Sequence, residues 1–462
     1  MGSPPNTARG IAAAVRSGQR RAVDVVAECL HRIGGDLLNA FTLVTADAAM
    51  ADAASVDATV AAGQDPGPLA GVPVAVKDLI DQAGLPNTAG SGFPPEFPDQ
   101  DATVITRLRG AGAVPVGRTG LHEFAFGFSS ENPWFGPVRN PWDPTISPGG
   151  SSGGSGVAVG AGWVPVGLGT DTGGSVRVPA ALCGVVGLKV THGSVSTTGV
   201  FPLAPSLDTV GPITRTVGDA AAVFAALAGH DPADPWSKLA PPEAAGEPAD
   251  LDGAILAVPH PWVDRPLSDE VAAAWAAFLD AAPAAGMVVV DLELPQLSYP
   301  GDLLASVYPE VALIHAERYR SQPEQYGTEV GERVAATLDY TLDDYLTGLA
   351  WRARIGDALD GALARCDAVV TPAVAAMRKI IGVGTIDIGG REEGYRSVLS
   401  CFSALVNHSG NPALTAPIAV AGSPPPSIQL IGRRNRDHRL LELALGMEAA
   451  GLLATPPPPP QV

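Results

Sequence analysis

Cysteine is scarce and unpatterned in this chain. Four stand in 462 residues, at Cys29, Cys183, Cys366 and Cys401, with no C-x-x-C pair. That excludes a disulfide framework and a zinc cluster, both of which need closer spacing. Reduced, buried thiols in a cytoplasmic enzyme are the expectation. Positive charge is also short: 29 Lys and Arg against 48 Asp and Glu give a net charge of −19. Nucleic-acid binding, which clusters basic residues against phosphate, is disfavoured. No apolar run approaches the roughly 18 residues of a membrane span, so no membrane association is expected. The start, MGSPPNTARGIAAAVRSGQRR, has no apolar core of the kind a signal peptide needs. Phosphate-loop and dinucleotide motifs are missing, and His122-Glu123 lacks the second histidine of H-E-x-x-H. With neither a ligand cluster nor a phosphate cradle, no metal and no organic cofactor are expected.

What the chain does have is a Gly/Ser-rich stretch over 147–191, SPGGSSGGSGVAVGAGWVPVGLGTDTGGSVRVPAALCGVVGLKVT. Val, Ala, Leu and Trp are interleaved through it, unlike a flexible linker. It reads as buried backbone packed closely on itself. Two serines, Ser151 and Ser175, each follow a Gly-Gly pair. Glycine lets the backbone approach a ligand, and free amides in such a turn can hold an anionic transition state.

Around this stretch helices alternate with short apolar strands, which predicts an α/β fold with a large central sheet. Helices are expected over 6–34, 45–63, 101–113 (N-capped at Asp101 or its neighbour) and 216–228, with strands at 69–80 and 114–117. An exposed loop is expected over 231–250. Strands at 255–259 and 287–294 flank a helix, and 301–365 reads as all-helical. A strand at 366–372 precedes an irregular segment, 373–395. Loop and strands follow, then a closing helix and a disordered or polyproline-like tail, 455–462.

A serine hydroxyl attacks poorly until a base takes its proton. A lysine can be that base if burial lowers its pKa. Lys77 ends the apolar run PVAVK, and strand alternation turns Asp78 to the other face. By position alone Lys77 reads first as a surface lysine at a strand end, and only second as a buried base. The G-x-S-x-G match at 149–153 is not preceded by a strand, which argues against a nucleophile elbow.

Seven ordered segments carry a resemblance: GVPVAVKD (71–78), NTAGS (87–91), EFAFG (123–127), FGPVRNPWDP (135–144), PGGSSGGS (148–155), GTDTGGSVRVPAALCGVVGLKVT (169–191) and LDTVGPITRTVGDAA (207–221). Together they resemble the amidase signature family, and weaker similarity at CDAVVTP, NHSGNPALTAP and IQLIGRR extends it over nearly the whole chain. The resemblance implies one domain, 1–462, built on a large mixed sheet with helices on both faces. Its signature core would span about 67–220, with a variable helical pocket region at about 300–365.

It also implies a Ser-cisSer-Lys triad, with Ser175 as nucleophile, Ser151 as bridging serine and Lys77 as base. The 24-residue step between the serines is the family's spacing, and it selects Ser151 over Ser152. Amides of Thr172, Gly173, Gly174 and Ser175 would bind the oxyanion. Ala125, Phe126, Gly127 and Phe128 would line the pocket opposite Ser175. As core residues or as pocket wall, Phe126 and Phe128 are equally natural; as wall they favour an apolar or aryl substrate. The implied activity is hydrolysis of small carboxamides, extending to carbamates or esters, by a monomer or homodimer. An alternative is the glutaminase subunit of a tRNA-dependent amidotransferase working with a partner protein. Val190-Thr191-His192-Gly193 departs from the family's Pro-Thr-Tyr-Gly. No arginine suited to a substrate carboxylate can be placed, and His122 and His192 are the reserve bases.

Overall fold

A computed structural model describes residues 6–238, 243–298, 301–420, 422 and 424–459. Fifteen strands occur among them. They are β1 Phe41–Val44, β2 Pro73–Lys77, β3 Val114–Thr119, β4 Glu131–Asn132, β5 Gly136–Pro137, β6 Val166–Asp171, β7 Val186–Lys189 and β8 Thr209–Thr214. The rest are β9 Ile255–His260, β10 Val288–Glu293, β11 Ala368–Pro372, β12 Thr385–Ile388, β13 Arg391–Gly394, β14 Ala413–Pro417 and β15 Ser427–Ile431. Eleven make one mixed sheet in the order β1-β3-β2-β6-β8-β7-β14-β15-β11-β9-β10. The expected α/β architecture with a large mixed sheet is present.

β2 (PVAVK) and β6 (VGLGTD) are fully buried, polar ends included, and they pair in parallel through Val74–Val166 and Val76–Leu168. Their carboxyl ends therefore lie side by side. This edge is where α/β sheets place ligand sites. The composition of the Gly-rich stretch has its physical reason here. In the helix Gly153–Gly160, a Cβ on Gly154 would strike the backbone of Gly120 and Ala40. A Cβ on Gly167 of β6 would stand 2.8 Å from the Ser155 carbonyl oxygen. Glycine costs about 1 kcal/mol in a helix interior, and the close approach of helix to sheet is what offsets it.

Several expectations need correction. The helix over 6–34 is two, Ala8–Arg16 and Ala22–Ile33, broken where Gly18 takes φ +73°. The helix expected over 101–113 is shorter, Thr103–Gly110; of the two cap positions offered it is the neighbour, Ala102, that caps it, and the Asp101 carboxylate accepts the Ala83 amide at 2.8 Å. The irregular segment 373–395 contains the β12–β13 hairpin. A short helix, Ala404–Ser409, replaces part of the loop and strand expected there. Within 231–250, Asp231 and Asp234 are buried anchors rather than exposed loop, and 239–242 lies outside the described residues. The tail is partly docked: Arg215 donates to the Pro456 carbonyl at 2.5 Å and Pro458 covers Gly162. Residues 460–462 of that tail lie outside the described residues.

Candidate active site

β2 ends in Lys77, which is fully buried. Its Nζ lies 2.8 Å from Ser151 Oγ and 2.8 Å from Thr170 Oγ1 on β6. Burial pushes the ammonium down to about 7, against the opposing pull of the Asp171 and Asp208 carboxylates. Asp78 does turn away, as strand alternation predicts, and pairs with the buried Arg118.

The Gly150–Ser151 peptide is cis. The Ser151 carbonyl accepts from the His122 amide and from Ser130 Oγ, both at 3.1 Å. Ser130 Oγ also takes the Gly153 amide at 3.0 Å, so one side chain ties down both ends of the turn. The neighbouring Ser152 faces elsewhere: its Oγ donates to the Thr170 carbonyl at 3.2 Å and accepts the Thr170 amide at 3.3 Å. Only Ser151 of the two meets Lys77. Ser175 follows β6 on the next turn, and its carbonyl accepts the Ser152 amide at 3.2 Å. Among the described residues its hydroxyl has no hydrogen-bond partner. The Ser175–Ser151 step of the implied relay is thus unformed here, as catalytic contacts often are without substrate.

The turn carrying Ser175 is moulded by Asp171, a residue to which the sequence alone assigns no role. Its carboxylate accepts the amides of Gly174 (2.8 Å) and Val176 (3.2 Å). It also pairs with Arg177 through Nε (3.0 Å) and Nη2 (2.9 Å) and takes Asn407 Nδ2 at 2.8 Å. Arg177 in turn donates to Gln429 Oε1 at 2.6 Å and to Asn407 Oδ1 at 2.5 Å. These donors, the guanidinium foremost, outweigh burial and hold Asp171 well below the usual carboxylate range. A charged pair within a stretch whose only other charge is Lys189 was the available signal.

The same network sorts the four amides expected to face an oxyanion by whether they are already bonded. The Gly174 amide is committed to Asp171, whereas the amides of Thr172, Gly173 and Ser175 have no partner among the described residues. Ser403 Oγ donates to the Gly173 carbonyl at 2.7 Å and keeps that peptide in place.

The segment 125–128 borders this turn. Ala125, at φ +57°, shares a small crevice with Thr170, Thr172 and Asp208. The Phe128 ring comes within 3.3 Å of where a Gly173 Cβ would stand. Gly127 lies flat on the His122 ring, leaving no room for a side chain. Phe126 is buried, and the Arg333 guanidinium stacks 3.7 Å above its ring while donating to its carbonyl. Arg333 Nε is buried with no hydrogen-bond partner among the described residues. The sequence placed no arginine beside this segment. His122 is buried and pushed down to about 4 by desolvation; its ring bonds Ser129 Oγ at 3.4 Å and neither Ser151 nor Ser175 among the described residues. His192 lies apart, bonded to the Pro205 carbonyl. No group of His, Cys, Asp and Glu among the described residues could hold a metal ion. No helix among them is long and apolar enough to cross a membrane.

A buried lysine on a serine, beside a second serine on a turn with free amides, is the equipment of a seryl hydrolase. Comparison with known proteins agrees. Residues 24–441 match the Amidase family, and the chain belongs to it. The A-type component of the glutamyl-tRNA(Gln) amidotransferase of Anaeromyxobacter dehalogenans (strain 2CP-C) is 38% identical over 453 residues, covering 91% of each chain. A solved amidase structure superposes with a TM-score of 0.89 at 33% identity, covering 97% of this chain and 100% of the other. A bacterial aryl acylamidase of the amidase signature family superposes at 0.86 with 25% identity, covering 96% of each.

Proposed function

We propose that this chain hydrolyses a carboxamide C–N bond through a seryl acyl-enzyme, with Ser175 as nucleophile, Ser151 as relay and Lys77 as base. The observation that carries the reading is the 2.8 Å contact between Lys77 Nζ and Ser151 Oγ, made by an amine that burial lowers to about 7. Neutral Lys77 accepts the Ser151 proton while Ser151 takes that of Ser175. Ser175 Oγ then bonds to the substrate carbonyl carbon, and the oxygen becomes an oxyanion facing the amides of Thr172, Gly173 and Ser175. Losing one such donor typically costs about 10²–10³ in rate. Collapse breaks the C–N bond, the leaving amine takes the proton back through Ser151, and water releases the acid.

The rings of Phe126 and Phe128 suit an apolar or aryl acyl group. The same acyl chemistry extends to carbamates and esters. On this reading the enzyme acts alone, in the cytoplasm, as a monomer or homodimer and without cofactor. A second reading is favoured by Arg333 and by the 38% identity to an amidotransferase component. A guanidinium with a free Nε over Phe126 could hold a substrate carboxylate, as in glutamine, with a partner protein receiving the ammonia. The test is a panel of glutamine, aryl amides, aryl carbamates and esters, with products followed by mass spectrometry in wild type, Ser175→Ala and Arg333→Met. Aryl amide turnover that survives Arg333→Met supports the first reading. Glutamine turnover abolished by it supports the second. Turnover by Ser175→Ala above about one per cent of wild type contradicts both.

A further inference from the structure

Acids outnumber bases 48 to 29 in this chain, yet one cavity has no acid in its lining. It measures about 250 Å³ and shares no residue with the crevice beside Thr172. Arg352, Arg434 and Lys238 contribute its positive charge, with His192 and His408 between them. Gly410 forms part of the surface between two of these: a Cβ there would stand 3.7 Å from His192 Cβ and 3.9 Å from Arg434 Cδ.

Carboxylates stand behind the lining: Asp437 accepts the Thr191 amide (2.7 Å) and hydroxyl (2.6 Å), and Asp234 accepts the Trp236 amide (2.8 Å). Glu310 is 3.8 Å from Arg352, which also donates to Ser206 Oγ at 2.6 Å and to the Ser206 carbonyl at 2.9 Å. Asp360 pairs with Arg434, whose other nitrogen donates to the Ser409 carbonyl at 3.3 Å. Lys238 has no ion-pair partner among the described residues, and its stem folds over Gly193. Desolvation first, and then the neighbouring cations Lys189, Lys238 and Arg352, push His192 down to about 4, against the bond to Pro205. The lining itself therefore offers cationic side chains and no acid, with Lys238 the one not held in an ion pair among the described residues.

We propose that this cavity binds a small phosphate-type oxyanion, as the free ion or as a short phosphate monoester. Guanidinium edges and an ammonium are the usual partners of a tetrahedral oxyanion, and the volume admits it with a short tail. Asn407 links the cavity to the nucleophile turn. The residue is part of the cavity lining, and its side chain donates to the Asp171 carbonyl (3.0 Å) and carboxylate (2.8 Å). Occupancy thus reaches the residue that shapes the Ser175 turn. The site itself stands whether or not the catalytic assignment does.

The test is titration of the full chain with inorganic phosphate and, separately, glycerol 3-phosphate, followed by calorimetry and ³¹P line broadening. Ionic strength is held constant with sodium chloride, and acetate is the carboxylate control. A saturable one-to-one isotherm is expected for at least one phosphate probe, and its identity separates free ion from ester. Lys238→Glu, on the exposed rim, should weaken binding about tenfold or more without changing the melting temperature in the absence of phosphate. Arg434→Gln should weaken it several-fold. Three results overturn the proposal: no saturable binding, wild-type affinity in both variants, or acetate binding as tightly as phosphate.

Discussion

Arg118 Nε donates to Asp78 Oδ1 at 2.5 Å, with both side chains buried. The ion pair holds the carboxylate next in sequence to Lys77 on the far side of the strand. Thr42 and Thr88 hydroxyls complete its shell at 2.9 and 2.7 Å. Among the described residues Lys77 Nζ hydrogen-bonds to hydroxyls only, which is the setting in which burial can lower its pKa.

Arg118→Met should therefore act twice. It strands a buried carboxylate, costing about 3–5 kcal/mol of stability. In whatever folds, it also leaves an unneutralised charge near Lys77, raising that amine's pKa. Thermal melting checks the first effect. A shift of the activity profile to higher pH checks the second, and an unshifted profile would show that Asp78 does not reach Lys77.

The pH profile of wild type follows from the direction of the Lys77 shift. The amine must be neutral to accept a proton, so activity is low below its folded pKa and rises as pH passes through it. With the amine pushed down to about 7, kcat/KM should climb between about pH 6 and 8 and then level. The limb belongs to Lys77 coupled to the serines. Lys77→Arg should remove both limb and activity, since a guanidinium stays protonated. An Arg variant with the wild-type profile would move the base elsewhere.

The adjacent serines offer a sharper contrast. Ser151→Ala cuts the link to Lys77 and should lower kcat by more than about 10²-fold. Ser152→Ala removes only a hydroxyl tied to the Thr170 backbone. It should cost less than about tenfold in kcat and about 1 kcal/mol in stability. Equal losses in the two variants would mean that the relay is not specific to Ser151.

Legibility in the sequence followed locality. The apolar run PVAVK announced a buried strand, and the Gly-Gly-Ser repeats announced two close turns. What is built from distant pieces was hidden. Asp171 and Arg177 are six residues apart, but their partners Asn407 and Gln429 come from a different part of the chain, and no local pattern ties them together. Arg333 likewise sits on a charged helix, Thr328–Thr337, that reads as surface until packing lays it over Phe126. The β12–β13 hairpin was within reach: Gly389-Gly390, at φ +61° and +81°, is the turn chemistry of a tight hairpin between two short runs.

Exhaustive chelation should leave turnover unchanged, because every proton and charge in the proposed cycle is handled by side chains and backbone amides. Activity lost to a chelator and restored by one particular metal would contradict that cycle.

The central claim is that Ser175 carries the acyl group. A slowly deacylating aryl carbamate should trap that species, and peptide mass spectrometry of the quenched enzyme locates it. The expected result is one carbamoyl adduct on Ser175, absent from Ser175→Ala and formed much more slowly by Ser151→Ala. An adduct on Ser151 or Ser152, or full labelling of Ser175→Ala, would contradict it.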